Sequence, residues 1–151
     1  GLEIRHVEGD GNCGFRALDV VMGGTGDRHM ELRKSTVKFM RDNKEYFMDK
    51  IKKGHLTEMD VAITKEMESE DDEVSKSAIF NGYLDKMAQS KTWMTDVEAE
   101  AFGMKENKRV HIIVKRQHIW HEVVGAEGAD DDIYISHINY NHFDALVGAS
   151  A

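Results

Sequence analysis

The chain has no proline and a single cysteine among its 151 residues. One cysteine excludes an internal disulfide and any cysteine-rich zinc module. A lone thiol lasts best in a reducing compartment, so the expected location is cytoplasmic. The lack of proline says only that no turn depends on it. No apolar run approaches the ~18 residues that a bilayer crossing needs. The N-terminus does not have the shape of a signal peptide. It also does not begin with methionine, which suits a domain cut from a longer chain or a processed product. Basic residues are outnumbered, 20 Lys and Arg against 28 Asp and Glu, for a net charge of −8. That balance argues against a nucleic-acid coat protein and suits a domain with a basic partner.

The length predicts one domain, residues 1–151, with enough chain for one real core. Residues 2–7 are a short strand or ordered arm. Gly9-Asp10-Gly11-Asn12 is a dense turn signal. From Cys13, apolar residues recur at helical spacing through Met22, and Gly23-Gly24-Thr25-Gly26 ends the helix. A second helix is expected from about His29 to Phe47, a third over 56–67, and others over 77–88 and 96–104, the last capped by Thr95. Residues 66–73 form an acidic run. The final third changes period, with strands expected at 110–114, 119–124, 133–138 and 142–147 and a Gly/Asp loop over 125–132. Helices first and strands later predict an α+β fold.

Two places carry chemistry. Asp10-Gly11-Asn12-Cys13 leads straight into a helix. A helix start offers free N–H groups and partial positive charge, which ease ionisation of a thiol. The glycines permit a tight loop that aims N–H groups at a substrate oxygen. Taken alone, the cysteine is as readily a small buried hydrophobe. The second place is Asn141-His142-Phe143-Asp144-Ala145-Leu146. On a strand, His142 and Asp144 share one face. A carboxylate beside an imidazole fixes its tautomer and stabilises its cation. Of the other histidines, His6, His29 and His55 lie among polar residues and read as solvated. His111, His118, His121 and His137 read as satisfied strand residues. His118, His121, residues 130–132 and residues 66–73 match no standard metal spacing.

Asp10-Gly11-Asn12-Cys13 with Phe15-Arg16-Ala17, and Asn141 to Leu146, resemble the nucleophile and histidine motifs of the OTU (ovarian tumour) family of cysteine deubiquitinases. Leu32-Arg33, Tyr83 to Met87, Thr92-Trp93, and Glu98 with Ala99 and Ala101 fall in the family's order between them. The ending also resembles compact viral members. The resemblance implies a papain-like fold, α+β, with a small mixed or antiparallel sheet packed between helices. It implies hydrolysis of the isopeptide bond after the C-terminal glycine of ubiquitin or a ubiquitin-like modifier, without cofactor or metal. In that scheme the catalytic residues are Cys13 as the nucleophile, His142 as the base, and Asp144 and Asp10, with Asp144 the favoured orienter of His142 and Asp10 the alternative. Asp10, Gly11, Asn12 and Cys13 form the oxyanion loop, with the N–H groups of Asp10 and Cys13 as donors. Trp93 and Asn141 contact substrate, although Trp93 is equally a core residue. Neither nucleic acid nor membrane is an expected partner. Two rival readings are a non-catalytic ubiquitin-binding module and a protease acting on its own polyprotein. Two departures stand out. Gly14 follows the cysteine where the family often has a larger residue, which is expected to loosen the loop or open space. Met94-Thr95 follows Trp93 where Gly-Gly is usual.

Overall fold

The computed structural model describes residues 1–52, 72–139 and 142–148. Among these, five helices and five strands follow in order: β1 (Leu2–Arg5), α1 (Cys13–Val21), α2 (His29–Asp42), α3 (Lys44–Lys52), α4 (Glu73–Met87), α5 (Asp96–Glu106), β2 (Lys108–Lys115), β3 (Ile119–Gly125), β4 (Asp131–Ile138) and β5 (His142–Gly148). The expected helix over 56–67 falls outside the described residues.

The long second helix of the sequence reading is two helices. Asn43 breaks it at φ −120° and ψ 40°. Its backbone N–H and its side-chain amide both donate to the Phe39 carbonyl, at 3.1 and 2.9 Å, so Asn43 caps the end of α2. α4 begins earlier than expected because Asp72 caps it, accepting from Ser75 N at 2.7 Å. Thr95 caps α5 as anticipated. It also forms a reciprocal box in which Glu98 accepts from Thr95 N at 2.8 Å, an arrangement worth about 1 kcal/mol.

The sheet is mixed, in the order β1-β5-β4-β2-β3. β2 and β4 are parallel, and every other pairing is antiparallel. α1 packs on β5 and β4, α5 on β2 and β3, and α2 lies against both helices. Gly103 lets α5 press close, since a Cβ there would sit 2.8 Å from the Gly125 Cα and the Lys108 carbonyl oxygen. Phe15, Leu18, Phe47, Phe80, Phe102, Ile112, Ile135 and Phe143 fill the core between the helices and this face. Full burial of each such side chain contributes roughly 1.5–3 kcal/mol. β5 lies between the strand from the N-terminus and β4, so its first residues meet the start of α1.

Candidate active site

α1 starts without a side-chain cap. A turn takes that role: Cys13 N–H donates to the Asp10 carbonyl at 3.1 Å, and Arg16 N–H to the Asn12 carbonyl at 3.0 Å. The Asp10 carboxylate closes the loop from its other side. Oδ1 accepts from Asn12 N at 3.0 Å and Oδ2 from the Arg16 guanidinium at 3.3 Å. Burial works against the charged form of Asp10, but these donors outweigh it and hold the carboxyl below its ordinary range.

The loop is held from beneath by Arg33 of α2, which is fully buried. Its guanidinium donates to the Gly11 carbonyl at 3.1 Å, to Asn12 Oδ1 at 3.0 Å and to the Met87 carbonyl at 2.8 Å. It also stacks 4.5 Å from the Phe15 ring centre. Burial pushes Arg33 down to about 10, which leaves it charged at neutral pH. Asn12 Oδ1 takes a second donor, Lys91 N at 2.8 Å. Gly11 packs so closely on the Lys91 backbone that a Cβ would lie 1.8 Å from its carbonyl oxygen. In the sequence only the Leu32-Arg33 dipeptide marked Arg33.

The sulfur faces β5. Phe143 N–H donates to Cys13 Sγ at 3.4 Å. Phe143 follows His142, whose Nε2 lies 2.8 Å from Asp144 Oδ1. The period-two expectation for His142 and Asp144 therefore matches the strand. A carboxylate only accepts, so Nε2 carries the hydrogen and Nδ1 keeps its lone pair. Nδ1 is the nitrogen turned toward the loop, 3.5 Å from where a Gly9 Cβ would stand. Asp144 is buried and takes two further donors, Val7 N at 3.0 Å and His6 Nδ1 at 3.0 Å. Burial alone would raise its carboxyl, but Val7, His142 and His6 outweigh that and lower it. His6, read as solvated, is a partner of this carboxylate.

Two expectations are corrected. Cys13 is fully buried, and burial raises its thiol above the ordinary value. The nearby Asp10 and Asp144 charges act in the same direction, against the N–H groups of Phe143 and Gly14. Tertiary burial thus overrides the helix start, and the resting thiol is neutral. The N–H of Cys13 is also bound to the Asp10 carbonyl, so the expected oxyanion donor is occupied in this conformation.

Gly14 does not open space. A Cβ there would meet Met94 Cβ at 2.7 Å and Cε at 2.8 Å, and Met94 is buried. The two departures from the family pattern are one exchange of volume, with Met94 filling what residue 14 leaves empty. Trp93 is 41% exposed, which removes the core alternative for it. Asn141 lies outside the described residues. His121 Nε2 sits 2.7 Å from His111 Nδ1, and His111 Nε2 sits 2.6 Å from Asp132 Oδ1. Among the described residues no three His, Cys, Asp or Glu side chains form a metal cage. No described helix is long and apolar enough to cross a membrane.

Residues 5–113 match the family described as "Vertnin, OTU domain". The chain belongs to the OTU-domain family. It is 23% identical over 141 residues to mouse OTU domain-containing protein 1, covering 93% of this chain and 27% of the relative. It is 45% identical to mouse OTU domain-containing protein 3 over 47 residues, 31% of this chain and 12% of the relative. The chain thus spans about a quarter or less of these curated relatives. Its fold is similar to the OTU domain of OTUD1, with TM-score 0.71 and 22% identity, covering 97% of this chain and 86% of that one. It is also similar to the viral OTU domain protease from Farallon virus, at TM-score 0.71 and 21% identity over 97% and 83% of the two chains. An OTU deubiquitinase from Wolbachia pipientis wMel, solved bound to ubiquitin, matches at TM-score 0.65 and 16% identity over 97% and 95%.

Proposed function

We propose that this domain is a thiol-dependent deubiquitinase that cleaves the isopeptide bond after the C-terminal glycine of ubiquitin. The observation that carries this reading is the tie between Cys13 Sγ and Phe143 N–H, one residue from an imidazole oriented by a buried carboxylate. Family membership supplies the substrate class, and the ubiquitin-bound Wolbachia neighbour supports it.

Because the resting thiol is neutral, the reaction begins with proton transfer. His142 Nδ1 takes the Cys13 proton as Sγ attacks the carbonyl carbon. The tetrahedral intermediate collapses, the C–N bond breaks, and the imidazolium returns its proton to the leaving lysine amine. Water, deprotonated by His142, then hydrolyses the thioester and frees the ubiquitin carboxylate and the thiol. Asp144 accepts from His142 Nε2–H throughout, whether Nδ1 carries a proton or a lone pair. Substrate must move the Asp10 carbonyl away from Cys13 N–H to create the oxyanion donor. Trp93 lies two residues from capping Thr95 and is exposed beside buried Met94, a position suited to the diglycine end of the substrate.

A ubiquitin-propargyl probe tests this. It labels the wild type at its sole cysteine and leaves Cys13→Ala unlabelled, and equal labelling of both sinks the mechanism. The occupied Cys13 N–H favours a second reading, a non-catalytic ubiquitin-binding module. That reading predicts ubiquitin binding without labelling or turnover of a diubiquitin panel.

A further inference from the structure

Asp144 is shared by two imidazoles. His142 and Val7 N–H occupy Oδ1, and Oδ2 is left to His6 Nδ1. His6 comes from the segment just after β1, at the opposite end of the chain from β5. Its side chain is 78% exposed although its partner is 1% exposed. It therefore gains little from burial, and its one described interaction is with the carboxylate that orients His142.

We propose that His6 is a positioning residue for this site: it clamps the Asp144 oxygen that His142 and Val7 leave open, and so fixes the carboxylate that orients His142. The inference rests on the hydrolase reading for its kinetic consequence, but not for its chemistry. With Nδ1–H donating, His6 fixes the carboxylate plane through a third donor. Other charged groups on the elements that meet here are already paired. Arg16 of α1 lies against Glu8 and Asp10 of the loop, and Arg5 of β1 lies near Glu3. On β4, Ser136 stands opposite Asp144 and is uncharged, whereas His137 stacks on the Phe143 ring.

The test compares the wild type, His6→Ala and His6→Gln. His6→Ala lowers kcat by about fivefold with KM little changed, as for loss of one hydrogen bond to a charged group near solvent. His6→Gln keeps a donor without a charge and recovers most of that loss. The decisive readout is the tautomer of His142, read from the nitrogen shifts of its ring by NMR, which needs no ubiquitin. The wild type and His6→Gln keep the hydrogen on Nε2, and His6→Ala mixes the two tautomers. An unmixed Nε2–H tautomer in His6→Ala overturns the inference. A mixed tautomer in His6→Ala, in a protein that turns over no ubiquitin substrate, leaves the inference standing and sinks the hydrolase reading.

Discussion

Two histidine–aspartate pairs lie on one face of the same sheet, and only one sits beside a thiol. His142 meets Asp144 at 2.8 Å and His111 meets Asp132 at 2.6 Å. The distances barely differ, but the surroundings do. Asp144 is 1% exposed and its donors are Val7 N–H and two imidazoles. Asp132 is 29% exposed and is gripped first by Arg109, through two contacts of 2.8 and 3.1 Å. That guanidinium, with His111, lowers Asp132 to about 2. A permanent cation already satisfies Asp132, leaving it little further field to lend an imidazole. Among the described residues no Lys or Arg meets Asp144, and its side-chain donors are two imidazoles. A short His–Asp contact is therefore no signature of catalysis by itself. Burial and the choice of partners decide.

The sharpest way to break this contrast is to neutralise each carboxylate in turn. Asp144→Asn lowers kcat/KM on a diubiquitin substrate by about a hundredfold or more, since the wrong tautomer of His142 becomes available. Asp132→Asn changes it by less than about twofold, as expected for an exposed pair. Equal losses in the two variants erase the distinction.

A second comparison sets the sulfur side against the imidazole side through packing. Gly14→Leu forces a side chain into the volume of Met94 and destabilises by about 1–3 kcal/mol in urea titration. Adding Met94→Ala returns much of that loss because the two positions share one space. Additive losses in the double variant sink the exchange of volume.

The smallest effect is in acid stability. Asp144 is lowered in the folded state, so its contribution is present above the unfolded carboxylate value of about 3.9 and is lost as pH falls through the lower folded value. Thermal unfolding between about pH 2 and 5 therefore depends less on pH in Asp144→Asn than in the wild type. Added salt weakens the matching dependence at exposed Asp132 more than that at Asp144.

Local signals made much of this site legible. The turn before Cys13, the two-residue period of His142 and Asp144, and the Thr95 cap each depend on neighbours in sequence, and each appears where expected. What stayed hidden depends on distant chain. His6 lies among polar residues and is mostly exposed, and nothing nearby reveals that one of its nitrogens meets a carboxylate 138 positions away. Arg33 has the composition of a surface residue, because the carbonyls that satisfy it belong to other segments. The thiol's raised value has the same origin, since its burial is made by the whole fold.

The central place of β5 also bears on timing. The strand that carries the imidazole pairs with β1, the first described element, and follows every other described element in the chain. A ribosome-bound domain that has displayed its cysteine but not this strand has a thiol with neither His142 nor the Phe143 amide beside it. Under the proposed mechanism, Cys13 and His142 come together only when the chain closes on itself, and a domain truncated before β5 holds a sulfur without its partner.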